Sequence, residues 1–339
     1  MPLYLYILRR AILTVPLLIG ITLIAFIIAH IVPADPITAN LGQRAMSDPA
    51  IVAAFKAEWG LDKPVPTQYL IYVGNLLRGN LGTSIRTKHP VLDDLKAYLP
   101  ATLELATTST FFGVGLGLFL GVLSAVERGK PVDFFARFIS LIGISAPVFW
   151  MALLSLAIFY VGLRIVPGLG RLDTSIAAPP VVTGLLTIDS LLSGRWDAFS
   201  NAVGHLILPS LVLGSYSMGL ITRVTRSSML ETLEQDYIRT ARSKGLRERI
   251  VRQRHALRNA LIPVVTVIGL SYGTLLSGAV LTETIFAWPG IGRYAYQAST
   301  TLDFPVIMGV SLVIALIFIV INLIVDVLYY VVDPRIQTR

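Results

Sequence analysis

The chain has 339 residues, 54% of them hydrophobic and only 14% charged, with a mean hydropathy of +0.72. A soluble globular protein carries roughly 25% charged residues, so the composition excludes a soluble domain and indicates an all-α polytopic membrane protein. The net charge is +8 and there is no cysteine, which excludes disulfides, thiolate metal sites and cysteine nucleophiles.

A helix needs about 20 apolar residues to cross a hydrocarbon core. Six stretches qualify: residues 6–31, 101–126, 134–163, 206–221, 261–284 and 306–332. The first follows Arg9 and Arg10 and could pass for a signal peptide. Its apolar run is too long for that, and Val32-Pro33-Ala34-Asp35 is a poor cleavage site, so the span is read as retained. Residues 33–99 are too many for a simple loop. Ser47 is a candidate N-cap, with Asp48 and Pro49 in the first turn, and Ile51, Phe55 and Trp59 recur at helical spacing before Gly60. A second helix is expected from Pro66 to a stop at Gly79, then a turn over Asn80-Leu81-Gly82-Thr83-Ser84. This region reads as a small extracytoplasmic helical insertion that packs on its own spans or meets a soluble partner.

In the second span Gly113, Gly117 and Gly121 recur every four residues, and Gly269 and Gly273 do so in the fifth. Small residues let membrane helices approach closely, so these are read as packing positions rather than pore gates. Between the third and fourth spans, Pro167-Gly168-Leu169-Gly170 and Pro179-Pro180 break regular structure. Residues 185–192 and 196–203 read as short surface helices. The fourth span is the shortest, with Pro209 near its start.

A basic connector follows. Residues 223–258 hold ten of the 28 Lys and Arg residues between strongly apolar flanks. Leu230, Leu233, Tyr237 and Ala241 fall at spacings of three and four, which predicts one apolar stripe on a helix. Gly245 can supply the left-handed residue that ends it. A further helical turn over residues 249–254 leads back toward the membrane, giving a helical hairpin built to touch something. The bland alternative is a topology determinant lying on anionic lipid, which needs the arginines but neither the acids nor the glycine.

Positive charge orients the chain. With the N-terminus cytoplasmic, 17 of the 28 basic residues lie inside, and seven of the rest lie in the long segment 33–99. Both termini are then inside, the basic hairpin is cytoplasmic, and the charge bias needs no nucleic acid to explain it.

The chemistry of catalysis is thin. Gly269-Leu270-Ser271-Tyr272-Gly273 matches the nucleophile-elbow pattern, but an elbow needs a strand-to-helix turn and a histidine base. His30, His89, His205 and His255 all sit at or beyond the expected membrane boundaries. No phosphate-binding Gly-x-x-x-x-Gly-Lys-Ser/Thr loop occurs, so any ATP is bound by another chain. Glu104, Glu283 and Asp326 are the acids near spans, none central. Glu104 and Glu283 read as interfacial and Asp326 as a partner of an inner-face arginine, which argues against an ion-coupled carrier.

These residues together resemble the permease subunits of bacterial dipeptide/oligopeptide ATP-binding-cassette importers. The likeness rests on Ile31-Val32-Pro33-Ala34-Asp35-Pro36, Gly60-Leu61-Asp62-Lys63-Pro64, Gly79-Asn80-Leu81-Gly82-Thr83-Ser84 and Asp236-Tyr237-Ile238-Arg239-Thr240-Ala241-Arg242-Ser243-Lys244-Gly245. It continues through Leu257-Arg258-Asn259-Ala260, Glu283-Thr284-Ile285-Phe286-Ala287-Trp288-Pro289-Gly290 and Asp333-Pro334-Arg335. It implies a multi-pass protein of the bacterial inner membrane that binds no cofactor and is not itself an enzyme. The implied partners are a second related permease, two cytoplasmic ATP-binding subunits and an extracytoplasmic solute-binding protein, all in a lipid bilayer. It also implies that Tyr237, Arg239, Thr240, Ala241, Arg242 and Gly245 couple to the ATPase. Gly245 stands at the glycine of the family's Glu-Ala-Ala…Gly motif and Ala241 at its second alanine, whereas Arg239 and Thr240 replace the Glu and first Ala, and Arg258 replaces a proline. The expected organisation is 1–32 (first span), 33–99 (insertion) and 100–339 (core of spans two to six, with the coupling loop at 223–259). Short peptides are the expected cargo.

Overall fold

The computed structural model describes residues 3–31, 48–59 and 62–332. Ser47, Gly60, residues 32–36 and 333–335, and the side chains of Phe55, Trp59 and Asp326 lie outside the described residues. The regular structure of the described residues is helical, joined by turns and irregular segments, with an isolated bridge between Thr83 and Pro90.

The N-terminal helix α1 (Leu3–Ile31) is followed by two short ones, α2 (Pro49–Trp59) and α3 (Val65–Leu77). The long α4 (Val91–Val126) leads through a tight turn to α5 (Pro131–Ser145). Next, α6 (Val148–Ser155) is continued by a π-wound stretch, Leu156–Gly162. After an irregular segment come α7 (Leu186–Leu192), α8 (Trp196–Leu233) and the short α9 (Asp236–Ser243). A single turn at Glu248–Ile250 and a π-wound stretch, Val251–Leu257, run into α10 (Arg258–Gly278). The chain closes with α11 (Val280–Ile285), α12 (Ile291–Thr301) and α13 (Phe304–Val332).

Among the described residues four helical stretches are long and apolar enough to cross a membrane: α4, α8, Glu248–Leu276 and Phe304–Ile324 of α13. The expected third span is two helices, α5 and α6, bent by 109° at Ala146 and Pro147; taken as one crossing it makes a fifth. Pro147 cannot donate to the preceding turn and biases Ala146 to the extended conformation, ψ 132°. In α1 the described apolar stretch is Ile12–Ile28.

Two expectations change. Residues 196–203 are not a separate surface helix but the first turns of α8, so the span expected to be shortest is 38 residues long. Pro209 lies inside α8 without ending it, because close packing of the surrounding helix outweighs one lost hydrogen bond. The second expected span likewise begins earlier, at Val91, and carries Pro100 in its interior.

The centre of the molecule is the pair α4 and α8. A Cβ built on Gly121 would lie 2.5 Å from the Thr225 Cβ, and one on Gly117 would lie 2.8 Å from the Ile221 Cβ. The glycine repeat is thus the seam along which the two backbones touch, the packing that small residues permit inside a membrane. α5 joins the pair, with the Ser140 hydroxyl donating to the Gly219 carbonyl at 2.8 Å. Three apolar clusters lie in series along α4. The first gathers Val91 and Leu95 with Tyr294, Val306 and Val310; the second Ala101 and Leu105 with Leu213 and Trp288; the third Ala125 with Met229 and Ile238. A helix of α4's length spans about 54 Å, so the first and third clusters mark its opposite ends. Helix α3 packs on α1: Tyr69 bonds the Thr22 hydroxyl at 2.9 Å, and Phe26 meets Tyr69 and Tyr72 edge-on and tilted.

Candidate functional site

The site is built at the Val126 end of α4. Helix α8 stops at Leu233, the chain turns at Glu234 and Gln235, and α9 begins at Asp236. The break corrects the expected stripe. Leu230, Leu233, Tyr237 and Ala241 do not share one helix, since two non-helical residues reset the register. The buried face of α9 is Ile238 and Ala241, and Tyr237 stays 42% exposed. Ile238 and Ala241 sit on Ala125 of α4, Met229 of α8, and Val251, Ala256 and Ala260 of the returning chain. Burying one Ile side chain contributes about 1.5–3 kcal/mol, so Ile238, fully buried, is the main anchor of α9.

The end of α9 is a Schellman turn. The Gly245 N–H donates to the Arg242 carbonyl at 2.9 Å and the Leu246 N–H to the Ala241 carbonyl at 3.4 Å. Gly245 has φ +76°, as the motif requires, and a Cβ there would meet open space. The sequence expectation for this glycine is met in detail.

Electrostatic ties hold the returning strand of the hairpin. Arg242 grips Glu248 with two bonds, Nε to Oε2 at 3.2 Å and Nη2 to Oε1 at 3.0 Å, and Arg252 joins Glu248 at 3.2 Å. A two-pronged guanidinium–carboxylate pair fixes geometry as well as charge. Asn259 donates to the Tyr237 hydroxyl at 2.9 Å and to the His255 carbonyl at 2.9 Å, pinning the aromatic ring on the surface. Arg239 and Thr240 point outward; the Arg239–Asp236 pair, at 3.5 Å and mostly exposed, contributes little. Of the six residues singled out from sequence, the structure therefore leaves Arg239 and Thr240 exposed opposite the buried face of one short helix, sets the half-exposed Tyr237 and Arg242 at its flanks against the returning chain, puts Gly245 in the turn that ends it, and places Ala241 beneath it. Ile238, Glu248 and Asn259 were missed. Their roles depend on where the chain breaks and turns, which hydropathy alone does not encode.

Two of the three acids noted near the spans also find partners. Glu104 and Glu283 are both buried in the protein. Glu104 pairs with Arg171 and accepts the N–H and hydroxyl of Thr187 at 2.8 and 2.6 Å, while the Arg171 guanidinium lies 5.6 Å from the Trp288 ring centroid. Glu283 accepts the Thr102 hydroxyl at 2.6 Å and the Arg293 N–H at 2.9 Å, so its carboxylate closes the N-terminal end of α12. Ser271 lies inside α10 on no strand-to-helix turn, and its Oγ has no hydrogen-bond partner among the described residues. That geometry fails the requirements of a serine nucleophile. Among the described residues no group of three His, Asp or Glu is arranged to hold a metal.

An apolar helical bundle in which Glu104 and Glu283 are tied up in structure, with a seated short helix presented at one end, has the build of a membrane permease subunit. Comparison with known proteins agrees. Residues 117–338 match the family described as binding-protein-dependent transport system inner membrane component, and residues 3–106 match the N-terminal module of the same systems. The dipeptide transport system permease protein of Alkalihalophilus pseudofirmus is 44% identical, covering 98% of this chain and 99% of its own. The probable D,D-dipeptide transport permease of Escherichia coli is 47% identical over 94% of this chain and 93% of its own. The di/tripeptide transport permease of Pseudomonas aeruginosa is 46% identical over 98% of both chains. Among solved structures, the inward-facing MetNI methionine ABC transporter matches with a TM-score of 0.51 at 19% identity, over 69% of this chain and 93% of that one. An amino acid ABC transporter crystallised with histidines matches at 0.50 and 13% identity, over 70% and 94%; at such identities these likenesses speak for the fold alone. The chain belongs to the family of inner-membrane components of binding-protein-dependent ABC transport systems. It is a non-catalytic, multi-pass component of the bacterial inner membrane.

Proposed function

We propose that this chain forms the translocation path of an ATP-driven peptide importer together with a second, related permease. In this reading α1, α4, the bent α5–α6 pair, α8, α10 and α13 make six crossings, with both termini and α9 in the cytoplasm. Residues 1–32 carry the first crossing, 33–99 an extracytoplasmic insertion that faces a solute-binding protein, and 100–339 the transport core with its loop at 223–259. Two ATP-binding subunits act from the cytoplasm, one of them on α9. Their closure moves α9 and switches the bundle between inward- and outward-open packing, a rigid-body change between two states. Dipeptides or short oligopeptides are the cargo, as the names of the relatives suggest.

The observation that carries this reading is α9 itself: anchored by Ile238 and Ala241, capped by Gly245, and leaving Tyr237, Arg239, Thr240 and Arg242 exposed. Such a helix can be pushed without unravelling. The test replaces Tyr237 and Arg239 together, Tyr237→Ala with Arg239→Glu, in the reconstituted complex. The expected result is loss of ATPase-subunit co-purification and of ATP-dependent dipeptide uptake, with the permease still folded. Full co-purification and uptake would refute the assignment of α9.

A further inference from the structure

At the same end of the bundle a carboxylate is buried that neither the coupling helix nor the expected path uses. Asp133, in the first turn of α5, is 1% exposed. It accepts the Ser124 hydroxyl at 2.5 Å and the Gly129 N–H at 3.0 Å. Arg226 of α8 grips it with two bonds, Nε to Oδ1 and Nη2 to Oδ2, both at 3.0 Å. Arg137, one turn further along α5, adds a fourth group at 3.2 Å. One side chain thus joins α4, the α4–α5 turn, α5 and α8.

A buried ion pair is a poor device for stability alone, because desolvation consumes most of the attraction. What it supplies is direction. A two-pronged pair resists sliding and rotation, whereas apolar packing permits both. Its place in the chain matters as well. Ser124 is adjacent to Ala125, and Arg226 lies one turn before Met229. Ala125 and Met229 are the floor on which Ile238 seats α9. Asp133 therefore ties α5 to the two helix ends that carry the coupling helix. Further along, α5 stays in backbone contact with α8, since a Cβ on Gly143 would lie 2.5 Å from the Ser215 carbonyl oxygen. Beyond Ser145 the chain bends by 109° into α6.

We propose that Asp133 is the positioning residue that carries displacement of α9 into α5, so that α4, α5 and α8 tilt as one body and the bend into α6 follows. The proposal rests on the reading of α9 as the ATPase contact. The experiment keeps the two apart by measuring ATPase-subunit co-purification separately from stimulation of ATP hydrolysis by the loaded binding protein, in the full complex in proteoliposomes. D133N is expected to retain the ATPase subunits and basal hydrolysis, while stimulation and uptake fall about 5- to 100-fold, the range of an ordinary coupling free energy. D133L/R226M removes both charges and leaves apolar packing, so it is expected to restore thermal stability without restoring stimulation. R226K keeps the charge without the fork and is expected to fall between D133N and the parent; it carries the test should the other two not assemble. Parent-like stimulation in D133N, in D133L/R226M or in R226K would overturn the proposal. So would loss of the ATPase subunits in a folded D133N permease, which would make Asp133 a support of the α9 seat only. Failure of the Tyr237/Arg239 variant to release the ATPases would instead count against the reading of α9.

Discussion

Replacing Gly245 by valine separates backbone conformation from packing at α9. A Cβ at this position meets nothing within 4 Å, so the first atom of the side chain has room. The strain comes from φ +76°. A side chain in this left-handed region costs about 1–2 kcal/mol, and a β-branched one at least that. The penalty falls on the turn that supplies the Gly245 and Leu246 N–H bonds to α9. Set against the about 1.5–3 kcal/mol from burying Ile238, that is a large share of what seats the helix. A loss of this size raises the open fraction by about 5- to 30-fold. Hydrogen exchange of the Ile238, Thr240 and Ala241 amides should lose protection by that factor in Gly245→Val, and binding-protein-stimulated ATP hydrolysis should fall with it. Asparagine, which stands in such turns naturally, should leave both readouts near the parent. Equal protection in the valine variant and the parent would refute the reasoning, as would asparagine damaging the helix as much as valine.

Three further outcomes are expected. Gly121→Leu forces a Cβ to within 2.5 Å of the Thr225 Cβ and 2.9 Å of the Thr222 carbonyl oxygen; overpacking of this kind costs about 1–3 kcal/mol or more, read as a lowered melting temperature in detergent, whereas Gly115→Leu, with open space around it, should be silent. Burial alone would push the Asp189 carboxyl up, but the N–H and hydroxyl of Thr183, with the N–H groups of Val182 and Gly184, hold it below its ordinary value of 3.8. Its contribution is therefore complete above that value and lost as pH falls through the lower folded value, so proteolysis of residues 171–195 should accelerate below about pH 4; in Asp189→Asn the segment should already be susceptible at neutral pH. Ser271→Ala should leave peptide uptake unchanged, and loss of transport with a folded protein would reopen the question of chemistry at that hydroxyl.

How much was legible follows from what each residue needs. Gly245 was readable because a left-handed cap demands glycine wherever the helix ends, and Gly113, Gly117 and Gly121 because a period of four is a property of one helix. Tyr237 was misplaced because its side depends on a two-residue break at Glu234 and Gln235 that resets the helical phase. The bend at Ala146 and Pro147 and the uninterrupted run of α8 through Pro209 show the same limit: proline marks a weak point in the chain, and the neighbours decide whether it yields.

Composition and periodicity by themselves determined that the chain is a helical membrane protein with a basic hairpin whose helix ends at a glycine, since apolar length, charge scarcity and a terminating glycine are local quantities. Only the tertiary structure decided which face of that helix is free, that Glu104 and Glu283 are internal ties, and that Asp133 meets Arg226 across 93 residues of sequence. The physical reason is that a buried charge must find its counterpart in space, and no pattern within one helix states which distant side chain will be there.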